Sequence, residues 1–455
     1  MDPFCAGNIH PCCHLRKIHE IRMHKQMETY GKILLVAMPA FLLLVLFEKW
    51  YGWKKGVETV RTMDMISSLG SGVTNVTKDV LGLAFVILSY PFLVRHLALT
   101  HTPAGFLVYV VAFIALDFAG YCVHRLQHVV NFFWNGHLIH HSSEDFNLAC
   151  ALRQSISSIV RTFIIFLLPA ALLGVPKEVI EVVAPLHLFA QFWYHTRHIG
   201  KMGFLEKIIV TPSHHRVHHA INPEYIDRNY GQIFIVWDKW FGTFCAERAD
   251  IPPVYGITRP VQTWNPVRIN FQHVALLARD AWYTRDWKDK FLLWFKPTGY
   301  RPADMIGKYP VFKIENVYQF EKYDPPASPA LKAWCWFQLV MLLFFLSYLF
   351  GNIGPIVKID PTDIYVYGGF IFLTVYAMTE LMDRHPWAWI WELVRSGSGL
   401  FIILDKGDWF GVKNYSTLIV FFLTAYFISC IIAAVVFSIP RQQKPALQLP
   451  DSTVG

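Results

Sequence analysis

The chain is poor in charge and has no regular cysteine pattern. Only 16% of its 455 residues are Asp, Glu, Lys or Arg, against roughly a quarter in soluble domains, which disfavours an ordinary soluble fold. Its eight cysteines (5, 12, 13, 122, 150, 245, 335 and 430) form no CxxC and no even spacing. That excludes a disulfide framework and a thiolate zinc site, and reduced thiols are expected. No Lys/Arg block stands out. The formal charge of +8 is spread thinly, so nucleic acid is not an expected partner and anionic lipid is. No signal pattern with a cleavage site is visible, and no internal repeat.

What is abundant is apolar. Hydrophobic residues make up 54% of the chain, with 36 Phe, 20 Tyr and 16 Trp, and such aromatic weight suits membrane interfaces. Apolar runs occupy 31–53, 80–94, 105–123, 156–174, 179–194, 333–350, 364–381 and 417–437, with 387–404 ambiguous. A spanning helix needs about 20 residues, so the shorter runs are expected to dip and return. The fold class read from this is all-α: a multi-pass helical membrane protein with a cytoplasmic, histidine-rich di-metal cap. The division expected is a polar tail over 1–26, a catalytic membrane domain over 27–330, C-terminal membrane helices over 331–438 and a polar tail over 439–455. The first segment holds three Cys and four His and reads as a disordered or non-native extension before Met27.

The chain gathers imidazoles in one region. Of 20 histidines, 12 lie between His124 and His219. His124 and His128 are an i, i+4 pair, so both rings leave one helix face. "HLIHH" supplies His137, His140 and His141, and "HRVHH" supplies His215, His218 and His219 with the same spacing. One such pair is often a solvated face; three boxes on one side of a membrane point to metal. Eight donors are too many for one tetrahedral zinc and fit two ions with open positions. His195, in "QFWYHT", is a ninth candidate. His198 and His214 stay open, His187 reads as a hydrogen-bonded core residue, and His96, His101, His273 and His385 read as structural.

Imidazole sites suit iron, copper and zinc, and zinc has no redox chemistry. An apolar setting favours oxygen chemistry at a di-iron centre. Asp117 lies seven residues before His124, on the same helix face. An ionisable group within a membrane segment is functional by default, and its expected role is to accept a ligand histidine's other N–H. Glu144 and Asp145, after the second box, are expected to do the same or to form an ordinary cap. Arg125, Arg153, Arg197, Lys201, Lys207 and Arg216 share the histidine face, while the connector "GVPKEVIE" has one Lys and two Glu. The positive-inside rule therefore makes the histidine face cytoplasmic. By the same count 49–78 is a cytoplasmic loop. The membrane would be the endoplasmic reticulum in a eukaryote or the inner membrane in a bacterium.

The order HxxxH, HxxHH, HxxHH resembles the fatty acid hydroxylase/sterol desaturase superfamily of membrane di-iron enzymes. "GHLIHHSSEDFNLACALRQS" and "TPSHHRVHHAINPEYIDRNYGQIFIVWDKWFGTF" are similar to the alkylglycerol monooxygenases and their bacterial relatives, and "WNPVRINF", "DKFLLWFKPTGYRPADM" and "KYDPPASPALKA" extend the likeness. The resemblance implies two iron ions held by the eight box histidines, a lipid substrate cleaved at an ether through hydroxylation, and tetrahydrobiopterin or a redox protein as electron donor. Those enzymes carry Glu directly after the second histidine of the first box; here it is Val129. Neighbouring readings are a sterol, carotenoid or fatty-acyl hydroxylase or desaturase. Outside the enzymes stands a metal transporter, whose site would lie near the bilayer midplane on broken helices.

Overall fold

The computed structural model describes residues 11–83, 89–158 and 166–438, with side chains from residue 24 onward. It opens on α1 (Pro11–Lys54) and α2 (Thr62–Val80), followed by α3 (Tyr90–Leu97) and α4 (Phe106–Val129). Short pieces come next: α5 (Asn131–Trp134), α6 (Leu138–His141), α7 (Leu168–Leu172), α8 (Lys177–Phe189), α9 (Pro212–His218) and α10 (Val236–Trp240). A cap follows with α11 (Pro266–Tyr283), α12 (Trp287–Leu292) and α13 (Ala303–Lys308). The chain ends on α14 (Pro329–Gly351), α15 (Ile353–Ile359), α16 (Asp363–Met382), α17 (Ala388–Lys406) and α18 (Thr417–Ser438). Among the described residues there is no strand, only isolated bridges such as Val130 to Pro297 and Ile209 to Phe234.

Among the described residues, five helices are long and apolar enough to cross a membrane: α1 from His24, α4, α14, α16 and α18. The protein is thus multi-pass and all-α. Local chemistry sets the boundaries. Ser328 and Pro329 start α14, with the serine oxygen accepting from Leu331 N. Asn265 and Pro266 start α11 in the same way, the Asn oxygen accepting from Val267 N and Arg268 N, as N-cap chemistry requires.

Several expectations need correction. The segment from Pro11 continues α1 as helix instead of forming a loose tail; residues 1–10, 84–88, 159–165 and 439–455, with the parts of the tail and apolar-run readings that fall there, lie outside the described residues. Residues 62–78, read as part of a loop over 49–78, belong to α2, which is polar in sequence yet mostly buried. It is stable there because its hydroxyls are satisfied. Ser68 and Thr77 donate to carbonyls four residues back, and Ser67 reaches Trp264 O at 2.7 Å; a buried polar helix needs this accounting. The run 387–404 is helical as α17 and packs along α16 and α18. The expected hairpin is shorter than a span, since α8 has 13 residues and contains Pro185.

The largest apolar core joins α1 and α2 to α14–α18, through Val45, Ile66, Phe345, Tyr367 and Trp409. A second core packs α3, α4, α7 and α8. The histidine boxes lie on α4, α6, α9 and the residues beside them.

Candidate metal centre

The helix α4 ends because Val130 turns extended (φ −121°, ψ 124°). The chain then folds back, so that His137 and α6 lie against the last turn of α4. Thr211 and Pro212 start α9, with a reciprocal cap in which Thr211 and His214 serve each other's end of the first turn. That use of His214 explains why it stays out of the cluster.

All nine histidines proposed as ligands converge, in two groups. His124, His128, His137, His141 and His218 form one; His140, His195, His215 and His219 form the other, with donor atoms within 4.8 Å of one another in each. Each HxxHH box straddles both. His137 and His141 go to the first group and His140 to the second; His215 and His219 go to the second and His218 to the first. The groups adjoin, with the rings of His141 and His219 stacked at 4.2 Å between centroids.

The hydrogen bonding tests whether a cation fits. His124 Nδ1 pairs with Tyr230 O at 2.8 Å, His218 Nδ1 with Arg228 O at 3.0 Å and His195 Nδ1 with Gln191 O at 3.1 Å. A carbonyl only accepts, so each of these rings carries its proton on Nδ1 and presents the Nε2 lone pair inward. Those lone pairs face other imidazoles: His124 Nε2 to His137 Nε2 is 2.9 Å, His141 Nε2 to His137 Nε2 3.1 Å, His215 Nε2 to His195 Nε2 2.9 Å and His195 Nε2 to His140 Nε2 3.4 Å. His128 Nε2 and His218 Nε2 are buried with no hydrogen-bond partner. One N–H cannot serve two neighbours, so protons alone leave the inner faces unsatisfied. Two nitrogens about 2.1 Å from a shared ion lie about 3.0 Å apart at a right angle and about 3.4 Å apart at a tetrahedral one. The observed separations match that range.

Burial favours the same state. It pushes His137, His141, His195, His215, His218 and His219 well below the usual histidine range, reinforced by neighbouring imidazoles, and takes His140 down to about 3. Neutral rings at neutral pH are the form that donates to a metal.

The acids named from sequence do not touch the histidine groups. Asp117 is fully buried, and its carboxylate accepts from His187 Nε2 at 2.7 Å, Ile233 N at 2.8 Å, Phe234 N at 3.1 Å and Trp237 Nε1 at 2.8 Å. His124 is oriented by the Tyr230 carbonyl instead. A periodicity of seven puts Asp117 on the right helix face, but two turns of rise separate it from the ring. It fixes the stretch after Tyr230, so it acts on the ligand-orienting carbonyls from a distance. Glu144 accepts from Tyr323 N at 2.5 Å, and Asp145 pairs with Arg61 at 2.8 Å and Lys322 at 2.6 Å. Asn147 closes a local turn onto Ala149 N and Cys150 N. His187, read as a core residue, is Asp117's partner, and His198 bonds Thr59 Oγ1 at 3.0 Å.

Other positioning residues were not singled out from the sequence. Asp238 clamps the turn that carries Tyr230, accepting from Tyr230 N and Gly231 N, each at 2.7 Å. Asp227 and Asn229 sit there at positive φ of 59° and 56°, so "DRNYG" was a readable turn signal. Arg153 is buried beside the second box and bonds Asp64 at 2.7 Å and Ser142 Oγ at 2.9 Å. Glu48 accepts from Thr196 Oγ1 at 2.5 Å and Leu148 N at 2.6 Å, tying the neighbour of His195 to the second box's loop. A lone acid at the end of an apolar run was its signal. Arg153 and Arg216, counted above toward orientation, are in fact committed to Asp64 and Glu247.

A cavity of about 330 Å³ reaches the first group, lined there by His128, His141 and His218. Its size lies at the lower end of small-molecule pockets.

Residues 109–243 match the fatty acid hydroxylase family, a span holding every one of the nine histidines. The chain is 35% identical to alkylglycerol monooxygenase of Homo sapiens over 79% of its length and 80% of that protein's. It is 33% identical to alkylglycerol monooxygenase of Xenopus tropicalis over 81% of each. Ornithine lipid hydroxylase OlsE of Rhizobium tropici is 29% identical over 31% of this chain and 43% of its own. No solved structure matches. Likeness at this identity, running well beyond the histidine boxes on both sides, places the chain in the fatty acid hydroxylase family together with the alkylglycerol monooxygenases, as a membrane oxidoreductase that hydroxylates lipid.

Proposed function

We propose that the two histidine groups hold two iron ions and that the enzyme cleaves an ether lipid of the alkylglycerol type by hydroxylating the carbon next to the ether oxygen. The observation that carries this reading is the partition of nine inward-facing imidazoles into adjoining sets of five and four beside a cavity. The ether-lipid substrate is carried over from the named activity of relatives alike over four-fifths of the chain. When bound, the iron pair supplies dioxygen activation. One oxygen atom enters the C–H bond; the other leaves as water, with two electrons and two protons from the donor. The hydroxylated ether is a hemiacetal, which breaks to an aldehyde and a glycerol. The protein's part is to hold neutral imidazoles, to keep water off the buried centre and to align the chain.

The histidine face is taken as cytoplasmic, where an electron donor is available. Val129 is exposed, and its backbone carbonyl already accepts from Thr298 N at 3.1 Å. Its side chain offers no acceptor to a pterin's N–H groups, and Glu144 and Asp145 are engaged elsewhere. A redox protein is therefore the donor in this reading, in place of tetrahydrobiopterin.

The test is purification with metal analysis, followed by turnover of a chain-labelled 1-O-alkylglycerol with reductant and oxygen. Two irons per chain and labelled aldehyde are expected. A protein with full iron that leaves the ether intact but oxidises a sterol or fatty acyl chain would move the substrate assignment.

A further inference from the structure

One stretch of the cavity lining is cationic. Arg259, Arg301 and Lys313 line it, together with Thr298 and His273. Arg301 is already neutralised, donating to Asp280 at 2.5 and 2.9 Å. Arg259 has no hydrogen-bond or ion-pair partner among the described residues. Burial, and then the guanidiniums of Arg301 and Arg279, push it below the usual arginine range. Thr298 Oγ1 is buried in the same lining without a partner, while Lys313 is exposed. One acid lines the cavity, Asp227, and it lies 3.7 Å from His128 Nδ1. Ile257 and Leu276 add an apolar wall to the same cavity.

Arg259 is half-buried, and a partly desolvated guanidinium that makes no ion pair of its own fits a site whose ligand brings the charge. We propose that this cationic stretch of the lining binds the phosphate of a lipid substrate. Arg259 is the principal contact, with Thr298 and Lys313 beside it, and the lipid chain runs over Ile257 and Leu276 toward the histidines. The proposal rests on the lipid-hydroxylase reading and names the headgroup class. Guanidinium is suited to it because its planar donors match phosphate oxygens in pairs. A volume of about 330 Å³ accommodates a headgroup and the nearest chain carbons, so the remaining chain lies outside.

The full-length protein in maltoside micelles is titrated calorimetrically with hexyl phosphate, 1-O-hexylglycerol and inorganic phosphate. Hexyl phosphate is expected to bind about 10-fold or more tightly than either other probe, since only it carries both a phosphate for Arg259 and an alkyl chain for the apolar wall. Arg259→Gln should weaken hexyl phosphate by about 10- to 100-fold, and Arg259→Lys by less. If Arg259→Gln does not fold, Lys313→Gln on the exposed rim should still weaken it several-fold. Equal binding of hexyl phosphate and 1-O-hexylglycerol would overturn the proposal, as would a folded Arg259→Gln protein with undiminished affinity. Inorganic phosphate binding as tightly as hexyl phosphate would overturn the lipid source. The readout is independent of turnover: phosphate preference without any lipid oxidation refutes the function reading alone, and oxidation without phosphate preference refutes this one alone.

Discussion

Asp117→Asn separates a positioning role from a ligand-orienting one. The carboxylate accepts four hydrogen bonds, from His187, Ile233, Phe234 and Trp237, at 2.7 to 3.1 Å. An asparagine keeps one acceptor oxygen and turns an NH2 toward the remaining donors. Two of the four bonds are lost, and donors face donors. Hydrogen bonds to a charged group contribute about 1.5–3 kcal/mol each, so the loss is about 3–6 kcal/mol. That is a large share of a typical total stability of about 5–15 kcal/mol. The damage has a direction. The stretch from Ile233 to Trp237 follows directly on the carbonyls of Arg228 and Tyr230, which orient His218 and His124. Both belong to the group of five histidines. The variant should therefore melt at lower temperature in detergent and lose the metal of that group first, while His140, His195, His215 and His219 keep theirs. Melting curves and metal-to-protein ratios read both effects. An unchanged melting temperature with two metals per chain would refute the reasoning, and so would preferential loss from the group of four.

Three further outcomes are expected. His140→Ala removes one donor from the group of four, so the purified protein should stay in the membrane fraction, carry about one metal in place of two and show no turnover; two full metals with normal turnover would contradict the assignment. Tetrahydrobiopterin should support little ether cleavage by the unmodified protein, and Val129→Glu should raise it by adding an acceptor for charge-assisted bonds; robust pterin-dependent cleavage without the substitution would end that argument. Burial raises the Glu144 carboxyl to about 7 from 4.5. The unfolded chain ionises first as pH rises, so this contribution to stability is full below about pH 4.5 and fades up to about pH 7. Glu144→Gln should flatten that part of the stability profile relative to the unmodified protein, measured as the difference between their melting temperatures across pH 5–7.

How far the sequence carries depends on the range of the interactions. The helical membrane class was legible because apolar run length is a local property, and α4, α14, α16 and α18 stand where the runs are. The histidine boxes were legible for the same reason: spacings of three and four fix which rings share a helix face. Polar α2 misread as a loop because the partners of its hydroxyls, such as Trp264 and Gln154, lie far along the chain. Asp117 misread as a neighbour of His124 because helical phase says nothing of distance along the axis. His214 and His187 had no local mark separating them from their neighbours; a helix cap and a buried acid claimed them.

The sequence by itself determined that this protein is a bundle of membrane helices with nine imidazoles suited to metal. Only the tertiary structure decided that they divide into five and four, that each HxxHH box serves both sets, and that carbonyls of the Arg228–Tyr230 turn, braced by Asp117 and Asp238, aim the rings. The reason is physical: spacing fixes the direction in which a side chain leaves its own helix, whereas the lone pairs that meet depend on which helices pack together.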